Sequence, residues 1–266
     1  EIEFTTLSTV KYAQKDHSNP ASIFLVIDNS GSMAFDDVPR LSYWSAPPAS
    51  AEARLSGLKT QLKQFMEQLG SVIVPDPEDP SRKFLRMGMT VYNSDIINAK
   101  TIRPDWGVIS DAQIDAMNAD GGTVPTNALA KLAGWMTAEK NQHKRVNGSD
   151  DPLRYVVFMA DGANNTTQDD ENALRQCEKM KEDGVEIFTI GYALEPGYFN
   201  TNTWGETYNQ PIYYISPDVK QNAESFLKSC ASSDAHFLLA DDVSALKAAF
   251  DKIGTVIVED AVRIAS

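Results

Sequence analysis

Short, nearly uninterrupted apolar runs alternating with amphipathic stretches constrain this chain more than any other feature. The runs are "SIFLVID" (22–28), "LRMGMTVYN" (85–93), "YVVFMAD" (155–161), "EIFTIGYA" (186–193) and "HFLLA" (236–240). Strands buried on both faces have this character. Between them, "SAEARLSGLKTQLKQFMEQLG", "TNALAKLAGWMTAEK", "TQDDENALRQCEKMKEDG" and "DDVSALKAAFDKIGTVI" carry helical periodicity. Leu129, Leu132, Ala133 and Met136 form one such buried stripe. Gly70 and Gly184 stand where helices would stop. This alternation predicts an α/β fold with a mostly parallel sheet and right-handed crossovers. "DIINAKTIRP" (95–104) follows the second strand too closely for a crossover and is expected to be its antiparallel hairpin partner.

Three stretches fit neither pattern. Residues 33–50 read as a loop at the mouth of the first strand's turn. Residues 141–152 read as a polar surface linker, and 194–216 as an aromatic hairpin insertion. No internal repeat or low-complexity tract is present.

The net charge of −13 repels nucleic acid and anionic lipid, which sets nucleic-acid binding aside. No apolar stretch approaches membrane-spanning length and no signal peptide is seen, so any membrane attachment is expected through a segment outside this chain. Both ends read as cut from something longer. Cys177 and Cys230 lack a CxxC context, which argues against zinc. They lie in the helices before "VEIFTIG" and "HFLLA", which brings a single disulfide within reach, two buried thiols being the alternative. His17, His143 and His236 share no spacing and are expected to be solvated or packed rather than ligands.

Two of the runs end on aspartate: Asp28 and Asp161. In open α/β sheets ligands bind beyond the carboxyl ends of the strands, where strand order reverses. Adjacent parallel strands would bring both carboxylates to that edge, where they would repel and be costly to desolvate. Neither motif contains Lys or Arg, so a metal is the expected counter-charge. Ser30 and Ser32 add hard oxygens at alternate positions. Thr123 adds another, after Gly121 and Gly122, which allow close backbone approach. Oxygen-only donors select Mg²⁺, Mn²⁺ or Ca²⁺ over zinc or copper. Two carboxylates and three hydroxyls suit an octahedral Mg²⁺ better than Ca²⁺. Asp36 and Asp37 are expected in a solvated loop, and Asn164 and Asn165 in a turn.

"DNSGS" (28–32), "GGT" (121–123) followed by "NAL", and "ADG" (160–162) together resemble the metal-ion-dependent adhesion site of von Willebrand factor A domains. Asp28, Ser30, Ser32, Thr123 and Asp161 each match that signature. The resemblance implies a doubly wound, mainly parallel six-stranded sheet with helices on both faces and one antiparallel strand. It places the A domain at 20–258, with extensions at 1–19 and 259–266. It also implies a Mg²⁺ site (Mn²⁺ or Ca²⁺ being alternatives) that binds a protein ligand through that ligand's acidic side chain. A second likeness, carried by "VVFMADGANN", "CEKMKEDGVEIFTIGYAL" and "LKSCASSDAHFLLADDVSALKAAFDKIG", is to TadG-like proteins of the Tad (Flp) pilus machinery. Those proteins usually carry an N-terminal membrane helix. The two resemblances imply a periplasmic or cell-surface adhesion module of a pilus or attachment system. Tyr43, Trp44, Tyr198, Trp204 and Tyr208 in the two long loops are candidate interface anchors, with packing of each ring onto the domain itself as the alternative expectation for any one of them.

Two other classes compete. The strand-end aspartate is shared with haloacid-dehalogenase-like phosphatases, but their second carboxylate is replaced here by Ser30, which cannot act as general acid. Neither serine sits in a G-x-S-x-G frame with a histidine, so a metal-dependent hydrolase is disfavoured and no enzyme is expected. The alternative of an A-domain subunit of an ATP-driven, chelatase-like machine is intracellular, and a disulfide would argue against it.

Overall fold

Alternate residues of the first apolar run face opposite ways, and this dictates the layering. β1 (Ala21–Asp28) is buried along its whole length. Ile23, Leu25 and Ile27 enter one apolar cluster, while Phe24 and Val26 enter another on the opposite face. A strand with two buried faces needs helices on both. The computed structural model describes residues 19–42, 45, 51–72, 79, 81–200 and 213–262, and in it each face is covered.

β1 lies between β2 (Leu85–Tyr92) and β4 (Leu153–Ala160), parallel to both. β5 (Glu186–Tyr192) and β8 (Phe237–Ala240) continue the parallel sheet beyond β4. β3 (Ile102–Trp106) closes the other edge, antiparallel to β2. The order β3-β2-β1-β4-β5-β8 reverses direction at β1. α1 (Arg54–Val72) and α6 (Val243–Val262) cover one face, where Leu58, Leu62 and Phe65 meet Phe250, Ile253 and Ile257. The Phe65 and Phe250 rings are 5.2 Å apart. α3 (Thr126–Val146), α4 (Thr167–Glu182) and α5 (Pro217–Cys230) cover the other, through Leu129, Leu132, Met136, Cys177 and Leu227. Cys177 and Cys230 are bonded, with Cα atoms 5.2 Å apart, and tie α4 to α5.

Several local expectations shift. The hairpin partner of β2 begins only at Ile102, because residues 93–101 form the turn. Its Pro104 is tolerated because β3 is an edge strand. α2 (Asp111–Asp115) was not expected; its signal is the capping box of Ser110 with Gln113. Residues 141–146 are not linker but the last turns of α3. They carry His143 into a buried network. Ser22 Oγ donates to Glu139 Oε2 (2.6 Å) and lies 2.9 Å from His143 Nε2, while Arg86 Nε donates to Glu139 Oε2 (2.7 Å). Burial, then the charge of Arg86, pushes the His143 imidazole down to about 4. Within 194–216, β6 (Gly197–Phe199) and β7 (Tyr213–Ile215) pair antiparallel as a small second sheet. Residues 201–212 lie outside the described residues.

Candidate metal centre

The register sets the two strand-end carboxylates side by side. Ile27 pairs with Met159 across β1 and β4, so Asp28 and Asp161 leave the sheet at one edge, next to the point where strand order reverses. Both are fully buried. Asp28 Oδ1 accepts the Ser30 N–H (2.8 Å), turning the chain back over its own strand, and Oδ2 accepts the Tyr92 hydroxyl (3.1 Å). Burial first, and the charge of Asp161 second, push the Asp28 carboxyl well above the ordinary carboxylate range.

From this turn a chain of oxygens crosses to β4. Ser30 Oγ lies 2.9 Å from Ser32 Oγ, and Ser32 Oγ donates to Asp161 Oδ1 at 2.7 Å. Ser32 falls in the single 3₁₀ turn Gly31–Ala34, which holds its hydroxyl on the same side as that of Ser30.

The third loop is drawn in by its backbone. Gly31 N–H donates to Gly121 O (2.9 Å), and Asp120 N–H to Asn29 O (2.9 Å). Gly121 has φ +77°, and a Cβ there would meet Asn93 Nδ2 at 2.8 Å. At Gly122 a Cβ would come within 2.7 Å of Asn165 Nδ2. The backbone at Gly121 therefore favours glycine, whereas a side chain at Gly122 would have to displace Asn165. Thr123 is nearly buried. Its N–H donates to Asn165 Oδ1 (3.1 Å) and its carbonyl accepts the Asn165 N–H (3.0 Å). Hydrogen bonds thus link Asp28, Ser30, Ser32 and Asp161, directly or through one another, whereas Thr123 is positioned beside them through Gly121 and Asn165.

Three features escaped the sequence reading. The first is Arg54, the opening residue of α1, fully buried. Its Nη1 donates to Asp161 Oδ2 at 2.8 Å. The absence of Lys or Arg from both motifs therefore does not leave the carboxylates without a protein cation: one arrives from 107 residues away. The second is Asn165, which clamps Thr123 rather than merely turning the chain. The third is the pair Asp36 and Asp37, which are buried rather than solvated. Asp36 pairs with Arg40 (2.9 Å) and accepts the Asn200 N–H (3.2 Å). Asp37 accepts the N–H groups of Glu52 and Val243, each at 2.9 Å. No local pattern marks these partners; all but Arg40 are distant in sequence.

The β6–β7 hairpin overlies this region. Tyr213 stacks on Phe35 (5.1 Å), and its hydroxyl lies 3.5 Å from where a Cβ on Gly162 would be. Burial, then the charge of Asp161, pushes the Tyr213 phenol up to about 12. Tyr198 packs on Tyr214 (4.7 Å). Tyr43, Trp44, Trp204 and Tyr208 fall outside the described residues. His143 and His236 lie away from the site: one is in the network at β1's opposite end, and the other is bonded to Glu186.

The donor set fits a hard divalent cation. Neighbouring oxygens around an octahedral ion with bonds near 2.0–2.1 Å lie about 2.9 Å apart. The Ser30–Ser32 and Ser32–Asp161 separations of 2.9 and 2.7 Å are hydrogen-bond lengths, and they are compatible with that spacing. Among the described residues no three His, Cys, Asp or Glu side chains converge as a metal cage. Beside Asp28 and Asp161 the oxygens at this edge are the hydroxyls of Ser30 and Ser32, not further carboxylates.

A doubly wound sheet with this turn at its switch point defines the class: an α/β domain with an oxygen-lined site at the carboxyl edge. The profile of the von Willebrand factor type A domain matches residues 22–252, and the chain belongs to that family. Among solved structures the fold is similar to the pilus adhesin SpaC from Lactobacillus rhamnosus GG in its open conformation. That likeness has a TM-score of 0.60 at 12% identity and covers 91% of this chain and 30% of that one. It is also similar to proximal thread matrix protein 1 from the mussel byssus with a zinc-occupied metal-ion-dependent adhesion site. There the TM-score is 0.53 at 15% identity, over 91% of this chain and 47% of that one. The chain spans less than half the length of either. Comparison with curated protein sequences gives no match.

Proposed function

We propose that this chain is a metal-dependent protein-binding module of a bacterial surface or Tad-type pilus attachment system, without enzymatic activity. Asp28, Ser30, Ser32, Thr123 and Asp161 are the proposed ligands, and Mg²⁺ the proposed ion, with Mn²⁺ as a substitute. The observation that carries this reading is the oxygen chain Ser30–Ser32–Asp161 beside Asp28 at the switch point of the sheet. A bound divalent cation supplies a positive charge that an acidic side chain of a partner protein can complete. The protein's own residues fix the proposed ligands: Tyr92 and the Ser30 N–H fix Asp28, while Asn165 fixes Thr123. Tyr198 and Tyr214, on the hairpin above the site, offer apolar contact to such a partner.

The Cys177–Cys230 bond supports an oxidising, periplasmic or extracellular setting and disfavours the chelatase-like alternative. Among the described residues no helix is long and apolar enough to cross a membrane, and attachment is proposed through a segment outside this chain. The A domain is assigned to about 20–258. Extensions lie at 1–19 and 259–266, and the latter begins as a continuation of α6.

Attachment or partner capture from the source cell's surface fraction tests this. Binding should fall with EDTA, return with Mg²⁺, and be lost in Ser30→Ala plus Ser32→Ala with no return on Mg²⁺. Unchanged attachment in the double variant would refute the adhesion reading.

A further inference from the structure

We propose that Arg54 is a positioning residue that sets which divalent cation the site accepts. It commits one oxygen of Asp161 to itself and so favours small octahedral ions such as Mg²⁺ and Mn²⁺ over Ca²⁺. This inference rests on the cation reading given above.

Arg54 is held on several sides. Nη1 donates to Asp161 Oδ2 at 2.8 Å and to Asp161 O at 3.3 Å, and Nε donates to Asp36 O at 2.9 Å. The guanidinium lies 4.3 Å from the Phe199 ring centroid and 5.9 Å from that of Tyr213. A fork fixed by a carboxylate, a carbonyl and two rings does not swing aside when an ion arrives. Stability alone does not account for it. A buried ion pair roughly breaks even against apolar packing, and Arg54 Nη2 has no hydrogen-bond partner among the described residues.

The consequence falls on Asp161. Oδ2 is occupied by Arg54, and Oδ1 is the atom that accepts the Ser32 hydroxyl. Asp161 therefore turns one oxygen to the serine turn and the other to Arg54, and a bidentate grip on an ion would have to compete with the guanidinium. Ca²⁺ takes roughly six to eight oxygens and often a bidentate carboxylate, whereas Mg²⁺ keeps six-fold geometry with single-oxygen donors. Charge does not add to this discrimination: Asp28 and Asp161 together carry two negative charges when ionised, and Arg54 offsets one for any divalent ion alike. What Arg54 takes from Ca²⁺ in particular is the second oxygen of Asp161. The same offset leaves a bound divalent ion under-neutralised, the condition under which a partner's carboxylate is attracted.

The test is cation binding by the full chain, measured by calorimetry and by thermal shift with MgCl₂, MnCl₂ and CaCl₂. Wild-type protein should bind Mg²⁺ and Mn²⁺ at least tenfold more tightly than Ca²⁺. In Arg54→Met, which keeps apolar length over Phe199, the Ca²⁺-to-Mg²⁺ affinity ratio should rise at least tenfold. In Arg54→Lys, which keeps the charge without the fork, the rise should be smaller. Equal or tighter Ca²⁺ binding by the wild type overturns the proposal, and this readout stands even where a variant does not fold. An unchanged ratio in folded Arg54→Met overturns it as well. No response of the wild type to any of the three ions overturns the site itself, a result distinct from the loss of selectivity.

Discussion

Asp37 Oδ2 accepts the backbone N–H of Val243 at 2.9 Å, so a carboxylate just beyond the serine turn caps the helix that closes the domain 206 residues later. Its other oxygen, Oδ1, accepts the N–H of Glu52, shortly before α1 begins. One buried side chain thereby fixes the path of the loop leaving the candidate site and the entry of α6. The interaction is local chemistry, a helix N-terminus satisfied by a carboxylate, delivered by a residue that is remote in sequence.

Asp37→Ala should destabilise the protein by about 1–3 kcal/mol, since it orphans two backbone donors at once. Asp37→Asn should recover part of this, because its one carbonyl oxygen can still accept. Denaturant melts of the three proteins decide the matter, and equal midpoints would show that the cap contributes nothing.

Divalent cation should raise the melting temperature of the wild type. An ion at 100 times its dissociation constant contributes about 2.7 kcal/mol if it binds only the folded state. Asp28→Ala should erase that increment while the protein still folds, because it removes a charge that is buried beside Asp161. A thermal shift by Mg²⁺ of the same size in the variant would contradict the ligand assignment.

Reducing the Cys177–Cys230 bond should cost about 2–4 kcal/mol, since it releases a loop of 53 residues in the unfolded chain. The cation response should survive, because the bond joins α4 to α5 and touches none of the five candidate ligands. Unfolding of wild type against Cys177→Ser plus Cys230→Ser reads the first expectation. Cation titration of the double variant reads the second.

The buried His143 imposes a pH dependence whose sign follows from linkage. Its folded value is about 4, below the ordinary 6.5, so the native state binds fewer protons than the unfolded state between those values. Its contribution is present in full above about pH 6.5, and is lost as pH falls from there to about 4, by up to roughly 3 kcal/mol. Asp28, raised rather than lowered, acts with the opposite sign over part of the same range. The difference in stability between wild type and His143→Gln, measured from pH 4 to 7, isolates the histidine. A difference independent of pH would show that His143 is not held neutral.

The sequence by itself determined the layers, the order of the main elements and the sheet edge at which Asp28 and Asp161 emerge. Apolar runs such as 22–28 and 155–161 require a two-faced sheet whatever surrounds them. A strand that ends on aspartate places a carboxylate at the sheet's edge by covalent connectivity alone. Turn chemistry is equally local, and Gly121 and Gly122 announce a close approach before any neighbour is known. Tertiary structure alone decided what faces that carboxylate edge. Arg54 reaches Asp161, Asp37 reaches Val243 and Asn165 reaches Thr123 across 107, 206 and 42 residues. Their residue types do not distinguish them from surface residues. The solvated loop expected for Asp36 and Asp37 and the surface linker expected at His143 failed for this reason. A polar side chain is read as exposed until a distant donor or acceptor is seen to satisfy it, and only folding brings that partner within reach.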